Sequence, residues 1–426
     1  RLTAEDEKVF GHLWRYLGLS VDWSMTYATI DRRAQRVSQL AFLRLLKRDL
    51  AYQLEAPTLW DVDFRTAVAQ AELEDREQPG AYHRIRFART DSNGYVEIET
   101  TRPELIPACV ALVAHPDDAR YQPLFGKDVQ TPLFGVRVPV KPHPLADPEK
   151  GSGIAMICTF GDVTDVVWWR ELSLPVRAII QPNGTLRPVT WGERGWESVN
   201  APAAQQHYDQ LAGVSAWKAR TRIVEQLRES GDLTAEPRPV THAVKFYEKG
   251  DRPLEIVTSR QWFIKTMEFR EDLLARGREL QWHPEYMRHR NENWVNGLAG
   301  DWCVSRQRFF GVPFPVWYRV GTDGSRDYEH PLVPDESRLP IDPSTDVPDG
   351  YTAEQRDQPN GFSGDPDIMD TWATSSLTPQ IAGGWLEDPD LFARVFPMDL
   401  RPQAHDIIRT WLFTTVLRAQ LEHGSL

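Results

Sequence analysis

G-S-G-I-A-M-I-C-T-F-G-D-V-T-D, from Gly151 to Asp165, is the stretch on which the fold turns. Two glycines lead into the apolar run Ile154–Cys158, which has strand length. A polar turn follows. Two carboxylates, Asp162 and Asp165, then open a candidate helix, Asp162–Leu172. Three residues apart on a first helical turn, they project from nearly the same face. Asp162 is equally well placed to cap that helix, and both readings stand. Gly151-x-Gly153 is no dinucleotide-binding fingerprint, because Met156 stands where a third glycine is required.

A second stretch, E-I-E-T-T-R-P-E from Glu97 to Glu104, complements the first. A strand ends in two hydroxyls, Thr100 and Thr101, and a guanidinium, Arg102. Pro103 then stops the pairing. These groups supply donors for a ribose, an adenine or a carbonyl, and a strand end with a surface arginine explains the same residues.

Around these stretches the chain changes character twice. Residues 1 to about 78 read as helical: Val37, Leu40, Ala41, Leu45 and Leu46 recur at near-helical spacing among Arg32, Arg33, Arg36, Arg44, Lys47 and Arg48, as on a surface helix. Gln78-Pro79-Gly80 breaks that pattern. From about 79 to 243 period-two runs take over. Ile85 and Phe87 alternate with Arg84 and Arg86, Val96 and Ile98 with Glu97 and Glu99, and Val136, Val138 and Val140 with Arg137 and Pro139. Such runs, separated by turn residues, predict an antiparallel or mixed barrel-like β domain. Helices follow, including Trp217–Ser230 closed by Gly231. Residues from about 244 to 426 return to mixed α/β, with a helix over Ile407–Leu421 and a loop insertion at about 319–365.

Composition narrows the class. A chain of 426 residues holds two to three domains. A formal charge of −12 argues against wrapping nucleic acid by bulk charge. Local basic clusters exist at Arg84, Arg86 and Arg89, at Lys218, Arg220 and Arg222, and at Arg288, Arg290, Arg306 and Arg308. Each reads as a solvated face or as a local binding surface. The cysteines, at 109, 158 and 303, show no paired spacing, so neither a zinc site nor a disulfide framework is expected, and a reducing compartment, the cytoplasm, fits. No apolar run reaches membrane-spanning length. The chain opens at Arg1-Leu2 without Met, which is compatible with targeting information having been removed.

Two further stretches specify the family. One is D-W-C-V-S-R-Q-R-F-F-G-V-P-F-P-V-W-Y, Asp301–Tyr318, and the other D-I-M-D-T-W-A-T-S-S, Asp367–Ser376. With the two stretches above, they resemble class I aminoacyl-tRNA synthetases of the isoleucine–leucine–valine group, closest to the valine-specific members. The resemblance covers nearly the whole chain. It implies an α/β fold in which a barrel-like editing domain (79–243) is inserted into an incomplete Rossmann-like catalytic domain (1–78 and 244–426). The ATP-holding H-I-G-H-like and K-M-S-K-S-like motifs are absent, so the expected object is the middle of such an enzyme.

The resemblance also implies roles. Thr100, Thr101 and Arg102 would face Asp162 and Asp165 across an editing pocket, with Asp165 holding the α-amino group, Asp162 the threonine hydroxyl, and Thr100 and Arg102 the terminal adenosine or scissile ester. Met156 and Cys158 stand where relatives carry Lys and Thr. Asp22, in Val21-Asp22-Trp23-Ser24, would bind the amino group of valine in a synthetic pocket walled by Phe310, Ile368 and Trp372, where ordinary core packing is the competing explanation. Asp406, in His405-Asp406-Ile407-Ile408, would hold the ATP ribose, and a helix cap competes there. His83, His115 and His143 read as structural. ATP and Mg²⁺ would serve the parent enzyme, with no cofactor and no metal bound by this chain.

The expected activity is hydrolysis of threonine mischarged on tRNA(Val), within a parent that attaches valine to the same tRNA. A pocket shaped for valine cannot strongly reject threonine; the general figure for such sites is about 10²-fold. No aminoacylation is expected from this chain alone. The expected partners are tRNA(Val) with its aminoacylated 3′ end, valine and threonine, with no membrane and a monomer favoured. A non-catalytic tRNA-binding module and a trans-editing paralogue are the alternatives.

Overall fold

The computed structural model describes residues 2–158 and 163–425. The chain forms two compact units: Arg1–Arg48, Glu271–Val295 and Phe310–Leu426 make the first, and Asp49–Arg270 with Asn296–Phe309 the second.

The first unit opens with helices α1 (Leu2–Tyr16) and α2 (Arg32–Lys47). Asp31 starts α2 by accepting the Ala34 N–H at 2.8 Å, the standard way to satisfy an orphan donor. The surface-helix expectation fails here. Val37 to Leu43 are all buried, so the centre of α2 is enclosed on every face and only the arginine-rich ends reach water. Enclosure costs free energy for a polar residue such as Gln39 unless its amide is paired. Its Nε2 donates to the Ile341 and Pro313 carbonyls, at 2.6 and 3.0 Å, and its Oε1 accepts the Ile341 N–H. The loop-rich region after Tyr318 is anchored by buried Trp317, Tyr318 and Phe362.

The second unit is mainly β. Strands β1 (Ala51–Asp61), β2 (Thr66–Ala67), β3 (Leu73–Arg89), β4 (Tyr95–Thr100), β5 (Cys109–Ala114), β6 (Asp128–Gln130), β7 (Arg137–Pro142) and β8 (Ile154–Cys158) come first. Helices α3 (Val163–Glu171), α4 (Ala201–Asp209) and α5 (Ala216–Ser230) follow, then β9 (Arg238–Tyr247) and β10 (Glu255–Ile264). One seven-stranded sheet runs β4-β3-β6-β7-β5-β8, with β9 added on β3. Its ends approach each other: the Glu99 N–H, on β4, donates to Ser152 Oγ beside β8 at 3.2 Å. The sheet is thus a nearly closed barrel, and it is mixed, because β5 and β7 run parallel.

The alternation read from the sequence holds. Ile85, Phe87, Val96, Ile98, Val136, Val138 and Val140 all lie in one buried cluster. Arg84 and Arg86 face outward, paired with Glu99 and Asp232. Helix α5 is closed by Gly231 in the left-handed region, as its sequence predicts, and Ser215 caps its start.

The helical reading of residues up to about 78 fails beyond Arg48. Ala51–Trp60 pairs in antiparallel register with Glu255–Ile264. Nor does Gln78-Pro79-Gly80 break a segment: β3 runs straight through it. In that half β3 pairs with β9, on one side only, where a strand tolerates proline. The expected helix Ile407–Leu421 is a helix with a π-helical start, Ile408–Leu412, before α-helical Phe413–His423. No helix among the described residues is long and apolar enough to cross a membrane.

Candidate functional site

The site at the end of β4 begins with Thr100. Its Oγ1 accepts the Arg102 N–H at 3.0 Å, which leaves the Thr100 O–H as a donor. Thr100 stands opposite His83 on β3, whose Nδ1 lies 3.3 Å from the Thr100 carbonyl. A carbonyl only accepts, so Nδ1 carries the hydrogen. Burial lowers the His83 pKa and keeps the ring neutral; nearby Glu104 opposes this and Arg220 adds to it. His83, read from sequence as structural, thus braces the strand end through the Thr100 carbonyl. Thr101 beside it is partly exposed.

Arg102 does not reach outward. Its Nε donates to Glu104 at 2.7 Å and its terminal nitrogen to Glu255 at 2.8 Å. Glu104 is fully buried and also receives Arg220 of α5 at 2.7 and 2.9 Å. Burial alone would lower the Arg102 pKa, but the carboxylates of Glu255 and Glu104 outweigh it and hold the pKa above its usual range. Glu104 is held below its usual range by the two arginines against its own desolvation.

Strand β8 and helix α3 bring the second group. Gly153 takes a φ of +78°, and a side-chain carbon there would lie 2.2 Å from an Arg120 nitrogen and 2.8 Å from the Pro148 carbonyl, so only glycine fits. Met156 and Cys158 share the strand face that looks into the barrel core, Met156 half-buried against it and Cys158 within it. Asp165, buried, sits in the first turn of α3. Cys158 stands opposite Cys109 on β5, and Ser152 before β8 accepts the Glu99 N–H of β4, so the two motifs share one locality. Asp162 lies outside the described residues. Helix α3 is fastened by His143, whose Nδ1 accepts from Trp168 Nε1 and from the Leu145 N–H, both at 3.1 Å. The hydrogen therefore sits on Nε2, which donates to Glu171 at 2.7 Å.

In the first unit the synthetic-pocket candidates are dispersed in role. Asp22 is exposed, and its carboxylate caps its own turn, accepting the Ser24 N–H at 3.0 Å and the Ser24 hydroxyl at 2.6 Å. Those two bonds lower its pKa. Phe310 is 85% exposed, whereas its neighbour Gly311 packs directly against Ile368, which is buried. Trp372, half-buried, lies in the first turn of a short helix, Thr371–Ser375, capped by Asp370. Asp406 is exposed and lines a cleft of about 470 Å³ with Arg290, Trp294, His405 and Arg409. Two guanidiniums, an indole and a carboxylate around one cleft are suited to a phosphorylated, ring-bearing ligand. Among the described residues no group of three or more His, Cys, Asp or Glu is placed to hold a metal ion.

Comparison with known proteins places the chain in a family. The model of the family described as tRNA synthetases class I (I, L, M and V) matches residues 3–423. The chain belongs to this family. A valine–tRNA ligase of Thermobifida fusca is 66% identical over 430 residues, covering all of this chain and 48% of the relative. Those of Salinispora tropica and Leifsonia xyli are 62% and 61% identical, again over all of this chain and 49% of theirs. The chain spans about half the length of the curated relatives it matches. A solved Agrobacterium radiobacter LeuRS-tRNA-LeuAMS ternary complex is 16% identical, with a TM-score of 0.41 over 99% of this chain and 53% of that one, a likeness too loose to carry detail.

Within this class I chain, sequence reasoning missed His83, Glu104, Arg220 and Glu255 at the β4 end. The cluster Lys218, Arg220 and Arg222 reads from sequence as a solvated face or a local binding surface, yet Arg220 is spent on buried Glu104. Arg306 is likewise buried, on Glu72 at 2.6 Å. The one local signal was Glu104 itself, two residues beyond Arg102.

Proposed function

We propose that the barrel unit hydrolyses threonine mischarged on tRNA(Val), within a parent enzyme that joins valine to that tRNA using ATP and Mg²⁺. The observation that carries this reading is that β8 lies against both β4, which ends in the hydroxyl donor of Thr100, and α3, which carries the buried carboxylate of Asp165, in a chain 66% identical to a valine–tRNA ligase. Asp165 sits at a helix N-terminus, which favours its anion. It would take the substrate ammonium. Thr100 would donate to the ester or ribose, and Asp162 would read the threonine hydroxyl. Arg102 acts on this reading through its neighbours, because both ends of its guanidinium are engaged by Glu104 and Glu255. The ester is intrinsically labile, so positioning and one oriented water suffice. In the first unit, the Asp406 cleft would take the adenosine of ATP in the parent enzyme, and Asp22, Phe310, Ile368 and Trp372 would contribute to the valine pocket.

The test is deacylation of threonyl-tRNA(Val) and valyl-tRNA(Val) by this chain. Faster loss of the threonyl ester than of the valyl ester supports the reading. Rates at the uncatalysed level for both esters overturn it.

A further inference from the structure

The four charges Arg220, Glu104, Arg102 and Glu255 alternate in sign along one line, from helix α5 through the segment after β4 to strand β10. Glu104, the fully buried member, is shared between both arginines. A purely structural staple does not need such a line. Well-packed apolar residues of similar volume often hold a segment as firmly, without the desolvation cost of buried charge. What the charged line adds is direction. It draws the Arg102 side chain into the network, and the Arg102 N–H then meets Thr100 Oγ1 at 3.0 Å. That bond occupies the hydroxyl oxygen as an acceptor, so its hydrogen is turned away as a donor.

We propose that Glu104 is a positioning residue for ester hydrolysis at the end of β4: by clamping Arg102 and Arg220 it keeps the Arg102 N–H on Thr100 and so aims the Thr100 O–H at the aminoacyl ester or its ribose. This rests on the editing reading above. Glu104 is fully buried, and both carboxylate oxygens are consumed by the arginines. Its effect reaches the reaction through one side chain and one backbone N–H.

The experiment is a double-mutant cycle on threonyl-tRNA(Val) deacylation with Glu104→Gln and Thr100→Val, following kcat and KM separately. Glu104→Gln keeps the shape and removes the charge. It is expected to lower kcat about tenfold with KM within twofold of the parent. Thr100→Val is expected to lower kcat similarly, and the double variant to be no worse than Thr100→Val alone. Losses that multiply would mean that the two residues act independently and would overturn the proposal, as would a Glu104→Gln kcat within twofold of the parent. Should Glu104→Gln melt below the assay temperature, Arg220→Gln replaces it, since Arg102 then retains Glu104. A smaller fall in kcat, absent in the Thr100→Val background, is expected, and a fall that persists there overturns the proposal. A parent chain inactive on both esters overturns the editing reading first, a result distinct from an active parent with independent residues.

Discussion

Cys109 and Cys158 stand directly opposite each other across β5 and β8, both buried and both as free thiols. Burial raises the Cys158 pKa well above the usual thiol range, and the adjacent Cys109, Asp165 and Glu104 push in the same direction. The thiolate, the reactive form, is therefore scarce. Alkylation with iodoacetamide at pH 8, mapped by mass spectrometry, is expected to leave Cys158 unmodified in the folded chain and to modify it fully in urea. Equal labelling rates in the two states would show that this strand pair is open to solvent.

A second expectation concerns the buried pair Arg306–Glu72. Glu72 also accepts the Ala69 N–H at 3.0 Å, and Arg306 donates to the Cys303 and Ser305 carbonyls. Arg306→Ala leaves a buried carboxylate without its cation, which costs about 3–5 kcal/mol. The double variant Arg306→Met with Glu72→Gln is expected to lose clearly less. Urea unfolding of the three proteins checks the order, and a double variant less stable than Arg306→Ala contradicts it.

His83 gives a dependence on pH with a fixed sign. Its folded pKa lies below its unfolded value of about 6.5. The unfolded chain therefore binds the extra proton first as pH falls. The contribution of neutral His83 is complete above about 6.5 and is lost progressively below it, toward the folded pKa. Half-buried His423 in the first unit is lowered as well and acts with the same sign. His83→Asn is thus expected to flatten, without abolishing, the rise in melting temperature between about pH 5 and 7. An unchanged slope would assign the whole effect to other groups.

On the proposed reaction, Asp165→Ala and Asp162→Ala should differ in kind. Without Asp165 the substrate ammonium loses its counter-charge, and hydrolysis of threonyl and valyl esters falls together. Without Asp162 the discrimination narrows, because valine no longer leaves a carboxylate desolvated and unpaired, a penalty of about 1–3 kcal/mol. Parallel deacylation assays on both esters separate the two outcomes. Parent-like hydrolysis of threonyl-tRNA(Val) by Asp165→Ala would remove Asp165 from the pocket.

What the sequence revealed was local. The alternation at Ile85, Phe87, Val96 and Ile98 is written in adjacent residues, as is the close of a helix at Gly231. What stayed hidden depends on distant partners. Ala51–Asp61 lacks a clean alternation and contains Pro57, and its strand character comes from Glu255–Ile264, some 200 residues later in the chain. The ion line at Glu104 is closed by Arg220 and Glu255, 116 residues from Glu104 and 153 from Arg102 respectively. At the candidate site, the T-T-R-P-E stretch drew notice to Arg102 as a contact residue. The structure shows its guanidinium turned onto neighbouring carboxylates, a fact that only folding supplies.

The continuity of β3 has a further consequence. Leu73–Tyr82 pairs with β9 and His83–Ala88 with β4, on one unbroken strand. Side chains alternate with a period of two, so loss of a single residue near Gly80 would shift the frame of one half against the other. Either the β9 ladder or the β4 ladder must then present its wrong face, and in the β4 half that drives Arg84 and Arg86 inward and strands Ile85 and Phe87 in water. Such a strand behaves as a ruler with two scales engraved on the same bar: neither can be recalibrated alone, and small length changes there are far less tolerable than in the turns at either end.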